Sequence, residues 1–191
     1  MNNTNPSACA QARQIFEQAT PVIRIHGVGG RRWKRNVAKG ARIGPWLQGE
    51  YRILNEQVWR EKGACLYLVA GSDAVIRYVG ISRNGLKHRW RTSPAYDAET
   101  MQRLPQNQLF HSQCWKHIER ESLASPGLSY EVRAINAAQL TEIADKLGSQ
   151  IAALVHAFPG DGESVVAGIE RWLCNQSSDD LVSWNVSMTK R

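Results

Sequence analysis

Nowhere in its 191 residues does the chain contain an apolar run approaching the roughly 18 residues that a membrane-spanning helix needs. Its start, MNNTNPSACAQARQIFEQAT, also lacks the basic-then-apolar build of a secretory leader. Both absences lead to the expectation of a cytoplasmic protein with no membrane partner. The four cysteines (Cys9, Cys65, Cys114, Cys174) show no CxxC pairing. Scattered cysteines of this kind are most often small buried hydrophobes rather than disulfide partners. HSQCWKH does set His111, Cys114 and His117 at three-residue steps, but no second cluster supplies the fourth ligand of a structural zinc site. It reads as a partly exposed helix. Internal repeats and low-complexity blocks are absent, and the length suits one domain.

A further absence is local. Between Pro21 and Gly49 there is no acidic residue, while Arg24, Arg31, Arg32, Lys34, Arg35, Lys39 and Arg42 all fall there. These seven equal the whole net charge of +7, and the rest of the chain holds 17 basic against 17 acidic residues. A charge balanced everywhere except in one segment is an electrostatic footprint for a polyanion rather than a general aid to solubility. The segment HGVGGRRWKRNVAKGARIGPW interleaves its cations with glycines, which let backbone amides approach phosphates, and with Trp33 and Trp46, which can stack or wedge. No Gly-Lys-Ser/Thr follows the glycines, which excludes a phosphate loop of the nucleotide-binding kind. Nucleic acid is the expected partner, with Arg31, Arg32, Lys34, Arg35, Lys39 and Arg42 as its contacts.

The apolar pattern predicts a helix over 8–19, a short strand at VIRIHG, and a glycine-rich basic arm to about Pro45. Trp46, Leu47, Ile53, Leu54 and Trp59 have the spacing of an amphipathic helix stopped by Gly63. Strands are expected at Ala64–Ala70, Val75–Ile81 and Leu128–Ile135, with a helix capped by Asn84 and running through Arg91. A polar, helix-compatible insert covers about 92–127. A long helix then begins at Asn136, and a second spans Glu163–Asn175. The order predicts an α+β fold, a small mixed or antiparallel three-stranded sheet flanked by helices. Residues 1–62 would form an N-terminal helix and basic arm, and 63–191 a catalytic domain.

LYLVAGSDAVIRYVG places one tyrosine in each of two apolar runs. A turn centred on Ser72–Asp73 would set Tyr67 directly opposite Tyr78, near the exposed surface of the sheet. Cross-strand aromatic pairs more often fill a core, so the residues around the pair decide how it is read. CLY (Cys65, Leu66, Tyr67), YVG (Tyr78, Val79, Gly80) and the following NGLKHRW resemble the GIY-YIG nuclease family, with Cys65 where that family usually has glycine. On this resemblance Arg89 matches the family's essential arginine. Glu170 in GIERWLCNQ matches its essential glutamate, and Asn185 in SWN matches its trailing asparagine. The likeness covers about residues 64–91, 128–135 and 163–186. Family members often have a histidine after the arginine helix; here RTSPA follows, leaving His88, His111 and His117 as possible relays.

The residues themselves support Glu170. Val165, Val166, Ile169, Trp172 and Leu173 make a helical stripe, and Glu170 sits at its flank, where a carboxylate can be held firmly yet reach a cleft. An ordinary boundary glutamate paired with a cation has the same signature, and the hairpin tips the balance towards a ligand. Phosphodiester hydrolysis needs an activated water, a stabiliser for developing charge and help for the leaving oxygen. The resemblance implies Glu170 as anchor for Mg2+ (or Mn2+), Arg89 as a fork for the scissile phosphate, Tyr67 and Tyr78 as the groups orienting water, one of them as a deprotonated base, and Asn185 as a support for the glutamate or a phosphate oxygen. A compact chain with a basic arm and an insert looks most like a type II restriction endonuclease acting on double-stranded DNA as a homodimer. The alternatives are a structure-selective or non-specific nuclease, and a binding module without chemistry.

Overall fold

The computed structural model describes residues 7–36, 41–97, 99–176 and 181–188. Its centre is the hairpin of β3 (Cys65–Gly71) and β4 (Ile76–Ser82), both largely apolar, each with a tyrosine, and buried along nearly their whole length. Beside β3 lies β7 (Tyr130–Asn136), paired from Cys65↔Asn136 to Gly71↔Tyr130. These are the three strands expected from sequence, and they form one contiguous antiparallel block in the order β4–β3–β7.

The sheet does not stop there. It has seven strands. β1 (Thr20–Asn36) pairs with β7 through Thr20–Ile25, and along its length with β2 (Ala41–Ile53), so the basic segment is a long β-hairpin and not an irregular arm. The amphipathic helix expected from Trp46 onwards is replaced by the second strand of that hairpin. Only α2 (Glu56–Arg60), capped by the Asn55 side chain, is helical. Along β2, Leu47, Gly49, Tyr51 and Ile53 face inward, while Trp46, Glu50 and Arg52 are exposed. Gly49 conceals this alternation, because it contributes no apolar side chain. Its position is nevertheless filled from across the interface: a Cβ there would lie 2.7 Å from Phe110 and 3.1 Å from Trp115.

The insert is only partly helical. β5 (Thr92–Tyr96) and β6 (Arg103–Phe110) form a hairpin joined to β1 through Trp33↔Tyr96, and α4 (Gln113–Ala124) follows from a Ser112 cap. After β7 the long helix breaks into α5 (Ala137–Ile143), a 3-10 turn (Ala144–Leu147) and α6 (Ser149–Ala157). The break falls at Gly148, whose φ of +104° belongs to the left-handed region. α7 (Gly162–Asn175) is capped by Asp161.

Two cores sandwich the sheet. On one face, α1 (Ala8–Gln18) and α5–α7 bury Leu66, Leu68, Val79 and Ile135. On the other, Trp59, Leu86, Trp90, Cys114 and Trp115 cover Tyr67, Val69, Tyr78 and Val132. α1 and β1 therefore share core and sheet with residues 63–191. The hairpin turn is tied to α4 by Arg77, nearly fully buried, which reaches Asp73 at 2.6 Å and Glu121 at 2.8 Å. The cysteines are all free; burial raises the Cys65 thiol to about 11, which leaves it inert.

Candidate active site

The tyrosines share a face of the hairpin but are not direct partners. Tyr67 lies opposite Gly80, and Tyr78 opposite Val69. The register differs from the expected one because the turn closes with Gly71 N–H donating to Val75 O at 3.0 Å, and a pairing irregularity falls between Val69 and Ala70. Tyr67 and Tyr78 become diagonal neighbours with ring centroids 5.9 Å apart at 30°. Gly80 makes this possible, since a Cβ there would lie 2.6 Å from Tyr67 Cζ and 2.7 Å from Tyr78 Cε1.

Both rings are buried, Tyr67 completely. Trp90 meets Tyr67 edge-on at 6.2 Å, and Cys114 of α4 closes the layer. The expectation of a phenol pair at the sheet surface is thus corrected. Burial raises both phenols above their ordinary value, Tyr67 well above it, and outweighs the nearby positive charge of Arg89. Neither tyrosine is a phenolate at neutral pH, which also corrects the expectation of a deprotonated tyrosine.

Arg89 closes α3 (Leu86–Arg89), a single turn with no side-chain cap. The expected Asn84 cap is replaced by Gly85, whose φ is +85° and whose added Cβ would collide with the Glu61 carbonyl. Arg89 Nε donates to Tyr67 Oη at 3.1 Å, and its guanidinium also hydrogen-bonds the Tyr78 side chain. The two phenols therefore aim the guanidinium and hold it charged.

Glu170 approaches from α7, whose Val165, Val166, Ile169 and Leu173 are buried. Its half-buried carboxylate accepts from the Ile81 backbone N–H at the edge of β4 and lies within Coulomb reach of Arg89. Desolvation is the largest influence and raises its pKa despite the Ile81, Arg89 and Arg171 contributions. Among the described residues it forms no ion pair. Tyr67, Tyr78, Arg89 and Glu170 are brought together from β3, β4, α3 and α7.

Asn185 has another place. Fully buried, it takes the backbone of Val79 at both ends, accepting from N–H at 3.0 Å and donating to O at 2.7 Å. It is a positioning residue for β4, not a hand held out to Glu170 or a phosphate. Val79 and Ile81 are alternate residues on the outer edge of the sheet, so Asn185 and Glu170 occupy successive backbone positions of one edge strand.

The histidines are dispersed. His88 is exposed, His111 Nε2 lies 2.8 Å from Ser93 Oγ, and His117 stacks on Trp184 at 5.4 Å. Desolvation first, then neighbouring cations, lowers the pKa of His111 and His117. No group of three or more metal-ligating side chains gathers among the described residues, HSQCWKH included.

Of the basic residues expected to meet DNA, Arg31, Arg32 and Lys34 lie on β1. Arg35 and Arg42 are paired backbone to backbone, their side chains lying outside the described set, and Lys39 lies outside the described residues. Lys34 is close enough to His111 to influence it, as is Arg91, two residues beyond Arg89. The sequence reading gave Arg91 no role and passed over two α4 cations, Lys116 and Arg120, whose four-residue spacing places them on one exposed face. Arg24, by contrast, is neutralised by Glu131 at 2.6 Å.

No protein-family model, curated protein or solved structure matches this chain. Nor is any described helix long and apolar enough to cross a membrane.

Proposed function

We propose that the protein is a divalent-metal-dependent DNA endonuclease of the GIY-YIG type, hydrolysing phosphodiester bonds in double-stranded DNA at a short sequence. The observation that carries this reading is the convergence of two phenols, one guanidinium and one desolvated carboxylate from four separate elements. A merely structural arrangement would pair Glu170 directly with Arg89; instead the phenols hold the guanidinium and the carboxylate is left without an ion-pair partner.

The donor set fits a single divalent ion. One half-buried carboxylate whose pKa is raised by desolvation is stabilised in its charged form by a nearby cation, and Mg2+ or Mn2+ accepts one protein carboxylate with water and phosphate oxygens completing its shell. Such an ion would supply charge stabilisation at the phosphate and a more acidic bound water. Arg89, fixed through Tyr67, offers its guanidinium to a non-bridging phosphate oxygen, a planar fork that lysine would not reproduce. The neutral phenols orient by hydrogen bonding. The basic hairpin supplies phosphate contacts, and a homodimer would bring two centres to the two strands of a symmetric site.

The test is a digest of plasmid DNA with Mg2+, beside Glu170→Ala. Discrete fragments from the wild type and none from the variant, with DNA binding retained, are expected. A smear would point to a non-specific nuclease. Cleavage by the variant at the wild-type rate would overturn the assignment.

A further inference from the structure

α4 has two working faces. Its buried side, through Cys114, packs against the tyrosine layer, and its exposed side presents Lys116, Arg120 and Leu123. Opposite that side, β1 and β2 contribute Arg31 and Trp46, and together these residues line a groove of about 300 Å³. Leu123 is 61% exposed and Trp46 40%, two of only three large apolar side chains so exposed among the described residues. Among the described residues, none of Arg31, Lys116 and Arg120 forms an ion pair. The one acid, Glu119, is half-buried, accepts from Trp115 Nε1 at 2.6 Å, and lies within Coulomb reach of Arg31 and Lys116, so it offsets one of the three positive charges.

We infer that this groove binds a single-stranded segment of DNA, with Trp46 stacking on an unpaired base, Leu123 against it, and Arg31, Lys116 and Arg120 meeting the flanking phosphates. The chemistry of the lining selects this occupant. An exposed indole beside an excess of cations is the combination by which proteins hold single strands, because every base offers a π-face. A duplex covers those faces, and reaching one requires unstacking at a cost of about a few kcal/mol per step. A second copy of the chain, docked groove to groove about a two-fold axis, would set one cluster of cations against another. The inference rests on the polyanion reading of the hairpin and not on the chemistry at Glu170.

Binding is measured in EDTA, where metal-dependent cleavage is silent, using a short fluorescent single-stranded DNA of mixed sequence and the corresponding duplex. Trp46→Leu should weaken single-strand binding by about tenfold, in keeping with the loss of one base stack, while Trp46→Phe restores most of it. Duplex affinity should be unchanged in both. Lys116→Gln with Arg120→Gln should reduce the slope of log affinity against log salt by about 1.4 for the single strand, and serves if the Trp46 variants fail to fold. Equal loss for duplex and single strand would make the groove a duplex-binding surface and overturn the inference. So would wild-type binding by Trp46→Leu, or a fall in molecular mass on Trp46→Leu without change in affinity, which marks a self-association face. Cleavage by Glu170→Ala at the wild-type rate, or none by the wild type, with these binding results intact would reject the nuclease reading alone.

Discussion

Asn185 holds Val79 by both its backbone groups, at 3.0 and 2.7 Å, although 106 residues separate the two in sequence. β4 is the edge of the sheet, and an edge strand leaves alternate N–H and C=O groups unpaired. The side-chain amide completes the ladder there as another strand would, and keeps straight the strand that carries Tyr78 and Gly80.

Asn185→Ala should therefore destabilise the fold by about 1–3 kcal/mol for each of the two backbone groups it orphans. The urea midpoint should fall with an unchanged m value. Asn185→Asp retains the acceptor for Val79 N–H but turns an oxygen towards Val79 O, so it should be less stable than wild type as well. If either variant kept its stability and lost only turnover, Asn185 would be a substrate-facing residue.

Gly80 is predicted to be intolerant for a different reason. Its φ lies outside the left-handed region, but a Cβ would fall 2.6 Å from Tyr67 Cζ and Oη. Tyr67 is fully buried and cannot step aside without moving Trp90 or Arg89. Gly80→Ala should cost about 1–3 kcal/mol through overpacking and should also lower kcat, because the phenols that aim Arg89 are displaced. A variant as stable as wild type would show that the rings have room the packing does not suggest.

What the sequence made legible follows from locality. β3 and β4 are short, largely apolar runs flanking turn residues, β7 alternates apolar and polar residues, and the α7 stripe puts Glu170 at its flank without reference to any other segment. β2 was hidden because Leu47, Tyr51 and Ile53 keep a period of two only if Gly49 counts as an inward position, which Phe110 and Trp115 decide from elsewhere in the chain. The tyrosine register depended on one pairing irregularity beside the turn. The burial of Tyr67 and Tyr78, and hence their protonation, depended on α3 and α4 closing over them.

Tyr67→Phe probes the link between the phenols and the guanidinium. It removes the acceptor of Arg89 Nε while leaving the ring in place. A hydrogen bond to a charged group contributes about 1.5–3 kcal/mol, so a measurable loss of stability is expected. If Arg89 acts on the phosphate in the transition state, kcat should fall much more than KM rises. A rise in KM with kcat unchanged would instead make Arg89 a ground-state binding residue.

Glu170 sets fold stability against chemistry, and pH separates the two. Its folded pKa is raised by desolvation, so the native state holds its proton more tightly than the unfolded chain. The stability this contributes is fully present below the unfolded glutamate value, near 4.3, and is lost as pH rises through the raised folded value. At neutral pH the ionised carboxylate is therefore a destabilising presence, which Glu170→Gln removes. That variant should melt a few degrees above wild type at pH 7, the difference shrinking to nothing near pH 4. Added Mg2+ should raise the Tm of the wild type and not of the variant, since only the charged carboxylate holds the ion. Activity has the opposite dependence, rising with pH as the carboxylate ionises. A variant no more stable than wild type at pH 7, in the absence of metal, would mean that Arg89 and the Ile81 N–H already compensate the buried charge.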